Sequence, residues 1–348
     1  MGDDVFAVQI PNGLKGDPLV YVPQRPLGEA FCFDLGSLEA LAHKDLMRIT
    51  HVFVSHTHMD HFIGFDRLLR VHLPHARLMK MWGPAPFIER VQAKLRAYTW
   101  NLIKPDQIRF LVHELKEDGS VTEALLTNTN NFAIQAFPSK SSIHKLCEWA
   151  DGSSMRAALL DHKGIPSVAY KYLVPGRMRV LVEKMKDFGL EPGEWVGQLQ
   201  ARLRAHHQDD TLVIEGRSFS VRDLASKVIE WEAQRSFAYV TDASFDERNV
   251  KALFEAFGSS EQLISETSFL DKDFARALDK AHLTSRHAAL LGRLLRVKKL
   301  HTFHFSAIYG EESEVLLQES QDIFQELQKA DDSSFQAALQ AEFLRIKS

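Results

Sequence analysis

A chain of 348 residues, 45% hydrophobic and 25% charged, has the composition of an ordinary globular protein and is long enough to bury a large core. Its net charge of -4 gives no global electrostatic drive toward nucleic acid, so binding of that kind needs a local basic surface. The two cysteines, Cys32 and Cys147, lie far apart and supply neither a disulfide framework nor a CxxC zinc site.

Short apolar runs alternating with helical periodicity predict an α/β fold. Residues 49–55, rich in β-branched and aromatic side chains, read as a strand, and Phe62, Phe65, Leu68 and Leu69 mark a helix after it. Residues 86–102 read as a helix, because Pro86 suits a first turn and Phe87, Val91 and Leu95 share a face. Strand-like segments recur at 107–112, 132–137 and 167–173. The rhythm changes over residues 174–235, which hold Pro175-Gly176, Pro192-Gly193, a helical piece at 180–188 and a hairpin pattern at 211–220. This stretch reads as an arm-like insertion carried by a single domain of residues 1–348. The α/β rhythm then resumes with strands at 236–241, 262–266 and 299–305 and helices at 247–257, 272–280 and 286–295. Residues 311–348 form an amphipathic helical tail that either packs on its own domain or mediates self-association as a homodimer.

The chemistry concentrates in Ser55-His56-Thr57-His58-Met59-Asp60-His61. Residues two apart in an extended chain project to the same side, so His56 and His58 can grip one ion together. A turn into the following helix then swings Asp60 and His61 toward a second ion. Neutral imidazoles with a carboxylate suit zinc, and Mn2+ or Fe2+ are also compatible.

The segment HTHMDH resembles the HxHxDH signature of the metallo-β-lactamase superfamily. That resemblance implies an αββα sandwich, two mixed sheets flanked by helices, with metal ligands on loops at one edge. The later motifs are similar to those of the ribonuclease Z family. Asp161-His162-Lys163-Gly164-Ile165-Pro166-Ser167 resembles the segment carrying a third histidine, with His144 a rival. A strand ending in Thr241-Asp242 resembles the bridging aspartate, and His304-Phe305-Ser306 the closing motif, with His301 a rival. Glu266-Thr267-Ser268-Phe269 and His282-Leu283-Thr284 resemble two further elements, which imply His282 as a catalytic histidine that is not a ligand, oriented by Glu266.

On this resemblance His56, His58 and His162 hold one divalent ion, Asp60, His61 and His304 hold another, and Asp242 bridges them. Two such ions lower the pKa of a shared water and clamp the oxygens of a phosphodiester. The implied activity is RNA phosphodiester hydrolysis, with precursor tRNA as substrate. A basic run of Lys163, Lys171, Arg177, Arg179, Lys184 and Lys186 reads either as an RNA-contacting surface or as a solvated face.

The chain departs from the family in its N-terminus, which lacks a glycine-rich strand-turn. Asp34-Leu35-Gly36-Ser37-Leu38 replaces Gly-Glu-Gly-Thr-Gln, and Ile308-Tyr309 replaces Arg-Tyr. Two alternatives therefore stand beside the RNA reading. One is a hydrolase of the same fold acting on a small phosphodiester, cyclic nucleotide or ester; the other is a non-catalytic metal-binding scaffold. No window approaches the ~18 uninterrupted apolar residues of a membrane span. The acidic start Met1-Gly2-Asp3-Asp4 has no apolar core, so a cytoplasmic protein is expected.

Overall fold

A computed structural model describes residues 6–24, 27–187, 189–205 and 207–348; the acidic start, Phe188 at the end of the expected helical piece, and His206 lie outside these ranges. The described chain divides into two compact units, one of residues 6–172 and 236–348 and the other Leu173–Arg235.

In the larger unit, seven strands form the first sheet in chain order: β1 (Val20–Gln24), β2 (Glu29–Phe33), β3 (Ile49–Phe53), β4 (Leu78–Pro84), β5 (Arg109–Leu115), β6 (Val121–Thr127) and β7 (Phe137–Pro138). Strands β2 to β5 run parallel, and the pairs at either side of them are antiparallel. The second sheet is built from β8 (Cys147–Glu148), β9 (Ser154–His162), β10 (Ile165–Val174), β15 (Arg235–Val240), β16 (Gln262–Glu266) and β17 (Lys299–Phe303). Its order is β17-β16-β15-β10-β9-β8, with β15, β16 and β17 parallel.

Period-two alternation explains how the sheets stack. Phe31, Phe33 and Phe53 on one sheet meet Tyr170, Tyr172, Phe237 and Tyr239 on the other, with Phe33 stacked on Tyr239 at 4.9 Å. The intervening Ala30, Cys32, Val52, Met79 and Met81 face the opposite way and share a core with Phe65 and Leu68 of α3 (Phe65–His72) and with Phe87, Val91 and Leu95 of α4 (Phe87–Arg96). Behind the second sheet, Leu160, Ala169, Ala238 and Val240 pack with four helices. These are α8 (Glu247–Phe257), α10 (Ser285–Leu294), α11 (Glu314–Lys329) and α12 (Asp332–Lys347). The layers are helix, sheet, sheet, helix, as expected. Short α1 (His43–Leu46) and α2 (Met59–Phe62) flank β3, and α9 (Phe274–Lys280) precedes α10.

Several expectations need correcting. Helix α4 stops at Arg96 rather than 102, and the Trp100 Nε1–H donates back to the Leu95 carbonyl at 2.7 Å, fixing the chain in a turn. Residues 132–136 are not a strand: Asn131 and Phe132 take left-handed φ of 53° and 55°, which breaks the extended run after a single buried ring. The tail is two helices, because the Asp331 side chain accepts from Ser334 N and starts α12 afresh.

The unit Leu173–Arg235 has its own core, in which Met185, Trp195, Leu199, Leu212, Val221 and Val228 are buried together. It holds α5 (Val182–Lys186), α6 (Glu194–Arg204), α7 (Val221–Val228), the hairpin of β12 (Thr211–Ile214) with β13 (Arg217–Ser220), and the antiparallel pair β11 (Arg177–Val180) and β14 (Ile229–Glu232). No helix among the described residues is long and apolar enough to cross a membrane.

Candidate metal centre

Each expected ligand lies at or beyond the end of a strand, where the pleat stops and the backbone is free to turn. After β3 the chain runs on through Val54 and Ser55 to His56 and His58, then enters α2, which carries Asp60 and His61. His162 ends β9, Asp242 follows β15 and His304 follows β17. Asp242 and His304 have positive φ, 37° and 58°, as does Asp34 after β2, at 55°. Left-handed backbone at non-glycine residues carries strain that surrounding packing must hold, and here it redirects side chains that an extended strand would aim elsewhere.

Three clusters result, in each of which the ligand-type atoms lie within 4.8 Å of one another. One contains His56, His58, His162 and Asp242; another Asp60, His61 and His304; the third Asp242, Glu266, His282 and His304. Asp242 joins the first two. Its Oδ2 lies 3.8 Å from His56 Nε2, 3.9 Å from His162 Nε2 and 3.3 Å from His61 Nε2, while Oδ1 lies 3.0 Å from His304 Nδ1. Asp60 Oδ2 lies 3.5 Å from His61 Nε2 and 3.4 Å from His304 Nε2. All seven residues expected as ligands are thus brought together, with His282 and Glu266 beside them.

The fit to metal is tested by what the imidazoles lack. His56 Nε2 and His61 Nε2 are fully buried without a hydrogen-bond partner. An orphaned buried polar atom is costly, and here its neighbours are other imidazole nitrogens and carboxylates. The opposite nitrogens are engaged: His61 Nδ1–H donates to Asp34 Oδ2 at 2.9 Å, His162 Nδ1–H to the Ala281 carbonyl at 3.0 Å, and His56 Nδ1 meets Ser55 Oγ at 3.1 Å. With Nδ1 protonated, each Nε2 presents its lone pair to the cluster, the tautomer a metal needs.

Charge points the same way. Burial, with repulsion from His61, pulls His56 down to about 2, so it stays neutral. Burial also lowers His61 and His304, but carboxylates outweigh it: Asp242 and Asp34 push His61 well above the ordinary histidine value, and Asp242 pushes His304 up to about 10. Asp242 is itself held far below the carboxylate range, since His61 and His304 overcome its desolvation. The carboxylates draw cationic charge into a buried place, and divalent cations would supply it while displacing those protons.

His282 stands apart. Its Nδ1 lies 2.8 Å from Glu266 Oε2, and Glu266, fully buried, also accepts from Ser268 Oγ at 2.8 Å. Burial lowers His282, but Glu266 raises it further, to about 8.

The rivals fall away from the centre. His144 is exposed on a loop, and His301 Nε2 lies 3.1 Å from Gln262 Oε1; neither is in a cluster among the described residues. The expected basic run loses a member: Lys171 is buried, its Nζ donating to the carbonyls of Phe257 at 2.7 Å and Ser259 at 2.5 Å. An exposed-face reading fails there because β10 is covered on both faces.

Sequence reasoning missed Asp34. Its Oδ1 accepts from Ser55 N at 2.6 Å, its Oδ2 from Ser55 Oγ at 2.8 Å and from the Tyr239 hydroxyl at 2.6 Å, besides His61. A signal was available: Ala30-Phe31-Cys32-Phe33 ending in an acid is the same pattern as the apolar strand ending at Asp242.

The two stacked sheets, the outer helices and the ligand-bearing strand ends define a metallo-β-lactamase-fold protein. A solved structure supports this: the metallo-β-lactamase-fold protein YhfI from Bacillus subtilis aligns with a TM-score of 0.52 at 13% identity, covering 91% of this chain and 92% of that one. No protein-family model matches the chain. Curated relatives named Ribonuclease Z resemble the chain over most of its length. It is 25% identical to Ribonuclease Z of Deinococcus radiodurans over 276 residues, 79% of this chain and 81% of the relative. It is 29% identical to Ribonuclease Z of Crocosphaera subtropica over 318 residues, covering 87% and 86%.

Proposed function

We propose that the protein is a binuclear metal-dependent phosphodiesterase of the ribonuclease Z type, hydrolysing RNA and processing the 3′ ends of tRNA precursors. The observation that carries this reading is the pair of His-rich clusters joined through Asp242, with buried Nε2 atoms that have no other partner. His56, His58 and His162 would hold one cation, Asp60, His61 and His304 the other, and Asp242 both. The donor set suits Zn2+. When bound, the cations supply Lewis acidity that lowers the pKa of water toward neutrality and offsets phosphate charge.

The remaining chemistry belongs to side chains. Glu266 fixes the His282 ring through Nδ1, and because its pKa is raised to about 8 the ring is largely protonated at neutral pH. A cationic imidazole at that place can stabilise charge on the phosphoryl oxygens or hand a proton to the departing 3′-oxygen. Asp34 and Ser55 keep His61 and His56 in register. We assign the unit Leu173–Arg235 to gripping RNA, through a surface that includes Arg177, Arg179, Lys184 and Lys186, and place the protein in the cytoplasm.

The test pairs metal analysis by mass spectrometry with cleavage of precursor tRNA and of bis(p-nitrophenyl) phosphate. Two equivalents of metal and cleavage at the 3′ side of the acceptor stem are expected. Turnover of the small ester with no cleavage of any RNA would overturn the RNA reading. Purified protein that takes up no divalent metal would overturn the whole assignment.

A further inference from the structure

A cavity of about 440 Å³ opens directly from the metal centre, with His282 and His304 in its wall. That is the size of a site for a small organic ligand such as one nucleotide. Its other walls carry three cations, Lys15, Arg276 and Lys280, against one acid, Asp17. Arg276 and Lys280 are four residues apart on α9, so one helical turn presents both from the same face. The helix is firmly seated: Ala277 is fully buried beneath it, the Arg345 guanidinium lies 3.8 Å over the Phe274 ring, and the Tyr309 hydroxyl donates to Asp273 Oδ2 at 2.6 Å. Ala281, with φ 56°, then turns the chain from this helix into His282. The two cations therefore stand one turn and a corner from the proposed acid. On the remaining wall Ile308, 52% exposed, is apolar where the motif it resembles has Arg.

Resting on the phosphodiesterase reading, we propose that this cavity seats the nucleotide adjoining the scissile bond, its own non-scissile phosphate held by Arg276 and Lys280 and its base against Ile308 and Phe269. The cut phosphate is neutralised at the metal centre, whereas the next one along the strand meets only these side chains. The enzyme then prefers a strand that continues past the cut over an isolated phosphodiester. The sequence makes the positive charge come from α9 rather than from the position of Ile308.

The experiment compares wild type, Arg276→Ala/Lys280→Ala and the charge-keeping Arg276→Lys/Lys280→Arg on a short oligoribonucleotide and on bis(p-nitrophenyl) phosphate. The alanine pair is expected to lose about 10- to 100-fold in kcat/KM on the oligonucleotide relative to the small ester, mostly through KM, consistent with one lost phosphate contact. The slope of log KM against log salt should fall by about 0.7, the share of one phosphate on a single strand. The charge-keeping pair should restore most of the loss. Equal losses on both substrates, or none on the oligonucleotide, overturn the proposal. Fluorescence anisotropy of the same labelled oligonucleotide with metal-free protein separates this from the broader reading. If wild type cleaves no RNA, that reading falls; the cavity proposal falls if metal-free wild type binds the oligonucleotide no more tightly than the alanine pair.

Discussion

Replacing Asp34 by Asn tests how much of the candidate metal centre is built by a residue outside its ligand-type clusters. Asp34 is fully buried, and every neighbour within reach is a donor: Ser55 N–H, Ser55 O–H, Tyr239 O–H and His61 Nδ1–H. Asparagine keeps the shape and tolerates the left-handed φ of 55°, so the backbone is not the cause of any effect. Its amide must turn an NH2 either toward Ser55 N–H, which cannot reverse, or toward Tyr239 and His61. The second is the lesser conflict, relieved if His61 moves its proton to Nε2, which withdraws the lone pair from the cluster. Hydrogen bonds to a charged group contribute about 1.5–3 kcal/mol each, so losing one or two lowers the stability of the metal-free protein by about 1.5–6 kcal/mol. Disturbing a partner behind a metal-bound histidine weakens metal binding by roughly 10- to 100-fold. Competition with a chromophoric chelator measures the affinity, and urea unfolding of metal-free protein measures the stability. An Asp34→Asn variant with wild-type metal affinity and a stability loss under about 1 kcal/mol would refute the reasoning.

Other substitutions separate the roles of the remaining groups. Asp242→Ala should lose metal and activity together, since it removes the carboxylate shared by two clusters; metal content and bis(p-nitrophenyl) phosphate turnover on the same sample check it. His282→Ala should keep its metal and lose roughly 10²- to 10⁴-fold in turnover, as expected for a general acid; normal turnover would remove His282 from the mechanism. Lys171 has a pKa lowered to about 8 by burial and by Arg156, against 10.5 when exposed. Between those values the unfolded chain holds more protons, so this lysine's contribution to stability rises with pH across the window. Wild type minus Lys171→Met should accordingly gain unfolding free energy from pH 8 to pH 10.5 in urea titrations, and a flat or falling difference would contradict the sign.

The parts of the fold legible in the sequence are those where local signals agree. Helix α8 and strand β16 begin and end where the periodicity puts them, because Asp246 caps the helix by accepting from Asn249 N at 2.8 Å and Gly258 ends it. The strand-turn-helix around HTHMDH is legible for the same reason: its ligand types are packed into six residues after an apolar run. Features that depend on tertiary contacts are not. The turn after Arg96 is held by a tryptophan side chain, and Phe132 is apolar enough to suggest a strand although its buried ring is a single anchor in irregular backbone. Lys171 reads as surface because a lone lysine gives no hint that the carbonyls of Phe257, which ends α8, and of Ser259 in the loop after it await its ammonium. Asp34 enters the sequence reading only as a departure from a family element, and its supporting role is hidden because its partners lie 21, 27 and 205 residues away.

Asp34 on the first sheet receives the Tyr239 hydroxyl of the second, and the proposed ligands likewise divide between them, His56 to His61 following β3 and the others following β9, β15 and β17. Cations held there would act as rivets through both halves of the sandwich. Metal loading would thereby be coupled to the docking of the sheets, so chelation should loosen the aromatic seam between Phe33 and Tyr239 and not merely empty a pocket. Neither half of the chain produced alone could complete the grip.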